Sequence, residues 1–231
     1  MLVKVNTTDK CKYTFVVKSD WISNVTKNEL KFENDIFKKY SASISDVEGE
    51  LIICNDLNKI DGFCKKIIQE TYQEYLETMA NRDFRKEQWV YNLLDGTAEH
   101  DKILYKDDSF LIAPNYTWNG EDPTKMYLLA FPTKRNLRSI RDLTYEHIDL
   151  LKNMKTKTLE LIKILYGYDK EVIKMFFHYA PSTYHLHIHF ALVSNSDVTS
   201  SVEYCHEIST VITNLEIKGD YYQSIIMNKR S

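Results

Sequence analysis

"YHLHIHFALV", residues 184–193, sets three histidines at every second position, with leucine, isoleucine and phenylalanine interleaved. Successive side chains of a strand point to opposite faces. Read as a strand, the segment puts His185, His187 and His189 on one face and Leu186, Ile188 and Phe190 on the other. The apolar set fixes the register, because a slip of one residue would turn three imidazoles into the core. The preceding "EVIKMFFHY" (171–179) also reads as a strand, and pairing the two around "APSTY" brings His178 to the cluster.

Outward from this pair, "KILYK" and "SFLIAP" joined by "DD" read as a hairpin, and "MYLLAF" (126–131) as a further strand. A basic surface loop, "PTKRNLRSIRD", leads to a helix predicted from Thr144 to Tyr166. Its apolar residues recur every three to five positions, and Gly167 suits its C′ position. "SSVE" (200–203) has the form of a capping box opening another helix, with Val202, Cys205, Ile208, Ile212 and Leu215 as its stripe. "YYQSIIM" (221–227) reads as a closing strand.

Toward the N-terminus, "FCKKIIQETYQEYLETMANRDF" (63–84) has helical spacing and strong helix formers. Before it, "NDLNKIDG" (55–62) is rich in turn formers and marks a domain boundary, giving a small domain at 1–57 and a larger one at 58–231. The small domain holds short strands, "LVKVN", "YTFVVK" and "ELIIC", around the charged stretch "TKNELKFENDIFKKY". Strands interleaved with two long helices make the larger domain α+β.

A hydrophobic content of 43% supports a real core, and a net charge of −3 offers no basic field for gripping long nucleic acid. Four cysteines without a CxxC pair exclude zinc-ribbon and redox motifs and suit reduced thiols. No run reaches transmembrane length and no secretory signal opens the chain, so we expect a soluble cytoplasmic or nuclear protein without a membrane partner.

Three readings of the alternating histidines compete. A solvent-facing strand would more commonly carry threonine, lysine or glutamate. A zinc site has suitable ligands, but histidines spaced two apart spread about 13 Å from first to last along a strand, which closes a tetrahedron poorly. Phosphoryl transfer needs no metal: an imidazole is neutral and nucleophilic near pH 7, and its neighbours can donate to phosphate oxygens. We prefer the third.

"HLHIHFA" fits the histidine-triad pattern. Together with "QWVYNLLDGTAEHDKI", "LRSIRDLTYEHIDLLKNM" and "HYAPSTYHLHIHF", it resembles the scavenger mRNA decapping enzymes, a branch of the histidine-triad superfamily. The resemblance implies an α+β fold: a C-terminal histidine-triad-like domain with antiparallel sheet and helices, plus a small N-terminal α+β domain, in a domain-swapped homodimer. It implies hydrolysis of a 7-methylguanosine cap dinucleotide or short capped RNA to 7-methyl-GMP and a 5′-diphosphate, without cofactor or metal. His187 matches the nucleophile, with His185, His189 and His178 beside it and Ser182 at a phosphate-binding position.

Trp89 and Glu99 match the residues that stack on and read the methylated base. The chemistry fits, since 7-methylguanine is cationic and favours an aromatic face, and a carboxylate accepts from both donors of the guanine edge. The resemblance also places Pro114, Asn115, Tyr116 and Thr117 at the substrate, with Tyr116 offering the base a second aromatic face. Lys59, Asp35 and Phe37 match N-terminal positions that close over it. Thr117 and Tyr204 stand where the family tends to carry a lysine and an arginine, removing two cations from the phosphate path. Two alternatives stay open: a histidine-triad hydrolase of unmethylated dinucleoside polyphosphates or nucleoside phosphoramidates, and a cap-binding module that does not cleave.

Overall fold

The computed structural model describes residues 2–7, 14–18, 26–33, 37–44, 47–54, 67–98, 100–195, 198 and 201–230, the first five segments by backbone alone. The chain divides into two compact units, residues 1–66 and 67–230. The sequence-based boundary at 57/58 falls within 55–66, outside the described residues.

In the first unit the described residues form one antiparallel sheet, ordered β2-β1-β5-β4-β3. Its strands are β1 (Leu2–Thr7), β2 (Thr14–Lys18), β3 (Thr26–Glu33), β4 (Phe37–Ile44) and β5 (Val47–Cys54). The stretch read as a charged connection is therefore the β3–β4 pair. Its ladder sets Glu33 opposite Lys38, and two register irregularities interrupt the alternation that would have revealed it.

The second unit is built on a six-stranded antiparallel sheet ordered β12-β10-β11-β9-β8-β7. These strands are β7 (Tyr105–Lys106), β8 (Phe110–Pro114), β9 (Tyr127–Pro132), β10 (Ile173–His178), β11 (Ile188–Leu192) and β12 (Cys205–Glu207). Helix α1 (Tyr72–Ala80) starts at a Thr71–Glu74 capping box, and α2 (Gln88–Asp95) stops at Gly96. The long α3 (Ile148–Tyr166) ends at Gly167, whose φ of 76° is the left-handed conformation that favours glycine. Leu151, Met154 and Ile162 of α3 and Ile208, Val211, Ile212 and Leu215 of α4 (Ile208–Ile217) are buried in one core with the sheet residues Leu128, Ala130, Ile188 and Phe190.

Three local expectations are corrected by long-range pairing. Ile67–Glu70, read as the start of a helix, is strand β6, paired with β13 (Met227–Arg230). "YYQSIIM" is therefore not one strand: Tyr221–Ser224 makes a helical turn, α5, and extended pairing begins at Met227. The helix expected at "SSVE" starts at Ile208, because Cys205–Glu207 pairs with β10 as an edge strand. Glu207 then supplies the cap, its carboxylate accepting from the Thr210 amide at 2.8 Å.

The basic loop also holds a surprise. Ser139 and Asp142 form a capping box around a 3-10 turn, and Arg141 within it is fully buried. Its guanidinium donates to the carbonyls of Tyr222 and Ile225, both at 2.8 Å, to the Tyr179 hydroxyl at 3.2 Å, and to the Glu70 carbonyl. The Glu70 carboxylate in turn takes Lys229 and the Tyr179 hydroxyl. One cation thus ties β6 and the C-terminal segment to the residue that follows His178.

Candidate active site

Register decides which side chains share the histidine face. His189 lies opposite Leu129 on one side and Phe176 on the other. Alternation then places Tyr127, Leu129, Phe131, Phe176 and His178 on the face of His189, while Leu128, Ala130, Ile188 and Phe190 turn to the other. The rings confirm the grouping. Phe176 stacks on His189 at 5.2 Å and 7°, and His178 is 4.1 Å from His189. His187 and His189 are 4.7 Å apart, and Phe131 approaches His187 at 5.6 Å and His185 at 6.3 Å.

Two features differ from the sequence reading. Only His189 belongs to the strand; His185 and His187 sit in the segment just before it. All three imidazoles are also buried, with exposures of 0%, 9% and 4% for His185, His187 and His189. The one-face argument put them toward solvent. An aromatic wall of Tyr91, Tyr127, Phe131 and Phe176 covers them instead, and backbone carbonyls satisfy part of their polarity.

Those carbonyls fix the proton positions. His187 Nδ1 lies 2.7 Å from the His185 carbonyl, and His185 Nε2 lies 2.8 Å from the Pro132 carbonyl. A carbonyl only accepts, so both nitrogens carry the proton. His187 is left with an unprotonated Nε2, the nitrogen a nucleophile requires. Among the described residues, His185 Nδ1 and His189 Nε2 are buried without a hydrogen-bond partner.

Burial pushes the pKa of all three rings down. His185 falls to about 4. His187 is lowered by burial against a smaller opposing effect of its carbonyl hydrogen bond, and His189 by burial and then by its neighbours His187 and His178. The triad is therefore neutral at pH 7.

A stability profile follows. Below pH 6.5 the unfolded chain protonates its histidines, while folded His185 resists down to about pH 4. The unfolded state then binds more protons, so stability falls across this window, by about 3 kcal/mol from His185 alone. Urea midpoints at pH 7, 5.5 and 4.5 measure it, and His185→Asn should flatten the slope.

His178 reaches the cluster from β10, and its other face stacks on Tyr204 at 4.0 Å and 22°. The Arg230 guanidinium lies 4.8 Å over the Tyr204 ring, ion-paired with Glu203 and hydrogen-bonded to Ser201 at 2.6 Å. Where the resemblance expects an arginine, a guanidinium is thus present one ring further out. Ser182 is exposed in the turn between β10 and the histidine segment.

Trp89, on α2, is 41% exposed and packs edge-on against Phe131 at 5.9 Å, so an available indole face and His187 border the same phenyl ring. Glu99, Asp35 and Lys59 lie outside the described residues, and Phe37 is described only as the first residue of β4. Pro114 ends β8 and opens the loop that carries Tyr116, which is 89% exposed. Asn115 and Thr117 are occupied with shaping that loop: Asn115 Oδ1 accepts from the Thr117 amide at 2.9 Å and from its hydroxyl at 2.8 Å. Tyr116 does not meet Trp89 ring to ring. It lines a cavity of about 600 Å³ with Thr117, Trp118, Lys125, Tyr127 and Asn195.

The sequence reading missed Tyr127, Phe131 and Arg230. Alternation in "MYLLAF" could have found the first two, since Tyr127, Leu129 and Phe131 share a face once the strand is paired with the histidines. No local signal marks Arg230.

Comparison with known proteins gives a consistent picture. A family model described as "Scavenger mRNA decapping enzyme C-term binding" matches residues 88–203. An Ascaris suum protein named m7GpppX diphosphatase is 37% identical over 90% of this chain and 74% of its own length. The Homo sapiens protein of that name is 32% identical over 84% of this chain, which spans 62% of that relative. A solved structure titled "Hnt3 in complex with DNA and guanosine" overlaps with a TM-score of 0.41 at 16% identity, covering 58% of this chain and 80% of that one, too slight a likeness to bear on function.

Proposed function

Since this chain belongs to the scavenger mRNA decapping enzyme family, we propose that it hydrolyses 7-methylguanosine cap dinucleotides or short capped RNA through a phosphohistidine on His187. One observation carries the mechanism: the His185 carbonyl holds the proton on Nδ1 of a buried, neutral His187 and leaves Nε2 as a lone pair. That nitrogen attacks the phosphorus next to 7-methylguanosine. The bond to the bridging oxygen breaks, and a 5′-diphosphate leaves with its electron pair. Water then attacks the phosphohistidine, releasing 7-methyl-GMP and restoring the imidazole. Two displacements with a good leaving group in the first replace one slow hydrolysis.

His189 neighbours His187, and His178 neighbours His189; in this reading both donate to phosphoryl oxygens, where charge gathers. A homodimer and a cytoplasmic or nuclear location belong to the same proposal.

Trp89 supplies the test of base recognition. Trp89→Ala should lower kcat/KM for a methylated cap dinucleotide about 30-fold or more, on the scale of a desolvated cation–π contact, and should barely change an unmethylated one. Equal losses on both substrates would favour the unmethylated dinucleoside polyphosphate reading. Mass spectrometry of the products, with and without EDTA, checks bond position and metal independence together.

A further inference from the structure

Tyr127 lies on the catalytic face, one diagonal step from His189: the ladder pairs His189 with Leu129 and Tyr127 with Ala191. Its hydroxyl is 2.6 Å from His189 Nδ1, and both side chains are buried. Among the described residues this is the hydroxyl's one hydrogen bond.

A phenol both donates and accepts, so two arrangements must be compared. If Nδ1–H donated to Tyr127, the phenolic proton would be left without an acceptor among the described residues. His189 Nε2 would then hold an unshared lone pair in a ring whose centroid lies 4.7 and 4.1 Å from those of His187 and His178. If Tyr127 donates to Nδ1, the imidazole proton sits on Nε2, and that N–H is the one group left unsatisfied. A buried orphan is costly, so the arrangement with one is favoured over that with two. Burial keeps the phenol protonated by pushing its pKa up, and keeps His189 neutral.

We propose that Tyr127 is a positioning residue whose hydroxyl fixes His189 in the Nε2–H tautomer. The third histidine then offers the transferring phosphoryl group a donor rather than a lone pair. The proposal rests on the phosphohistidine reading for its consequence, but not for the tautomer itself. Phosphoryl oxygens gain charge along the reaction, and a donor aimed in advance stabilises them where a lone pair would repel them. The otherwise unsatisfied N–H gains its partner when substrate binds.

The experiment is nitrogen NMR on the full chain labelled with 15N-histidine, without substrate at pH 7. His189 should show a protonated Nε2 and an unprotonated, hydrogen-bonded Nδ1; the reverse pattern would overturn the proposal whatever the activity. Tyr127→Phe, which keeps the ring, should let the tautomers mix and lower kcat about tenfold while KM stays within about twofold, the weight of one neutral hydrogen bond. An unchanged kcat would overturn it, as would a loss confined to KM, which would instead place the phenol in substrate binding at the adjoining cavity. Should the unaltered chain cleave no cap, the phosphohistidine reading fails, while the nitrogen spectrum still decides the tautomer.

Discussion

Exchanging His187 for asparagine is expected to lower turnover of a capped dinucleotide by about 10⁴-fold or more, the scale on which loss of a covalent nucleophile is felt. Asparagine keeps an amide N–H able to reach the His185 carbonyl, so the local fold has a substitute for the 2.7 Å contact. What it lacks is the second ring nitrogen. Steady-state rates on the methylated dinucleotide measure the loss, and an unchanged urea midpoint separates chemistry from unfolding. A variant within tenfold of the parent would show that the phosphoryl group never rests on this residue. Acid-stable, base-labile radioactivity on the chain would contradict the proposal too, because phosphohistidine is lost in acid.

The second large effect lies away from the nucleophile. Arg141→Met preserves bulk but removes the cation at the centre of the Glu70, Tyr179 and Lys229 cluster. The carbonyls of Glu70, Tyr222 and Ile225 lose donors, and the Glu70 carboxylate, 2% exposed, keeps Lys229 and Tyr179 as its partners among the described residues. Breaking a buried pair by removing one partner costs about 3–5 kcal/mol, readable as a drop in the urea unfolding free energy. A drop below about 1 kcal/mol would mean that water can replace the guanidinium, and that the knot contributes little net stability.

The contrast between these two residues shows what the sequence discloses. His187 was legible because its signal is local: three imidazoles at period two, within a motif of seven residues. The strands around it were partly legible as well, since "MYLLAF" and "SFLIAP" coincide to within a residue with β9 and β8. Arg141 sits in a run of basic residues that reads as solvated surface, and its partners are 38 to 84 residues away. Nothing within one turn of it distinguishes it from Arg138, whose guanidinium packs over the Phe84 ring instead.

Burial of the triad was hidden for a related reason. Period two shows that residues share a face, yet it is silent on what covers that face. Here Tyr91 comes from a helix about ninety positions earlier. The Glu207 cap was hidden because a three-residue edge strand has too little pattern to stand against a capping-box motif just upstream.

The pairing of β6 with β13 sets how the second unit responds to force. Their ladder joins Ile67 to Arg230 and Glu70 to Met227, so the two extremities of the unit emerge side by side from an antiparallel ribbon. Tension applied across them peels rungs in succession instead of shearing all four together. A pull on both extremities therefore loads the Arg230–Glu203 pair and then the rungs one at a time, before it reaches the Glu70–Arg141 contacts.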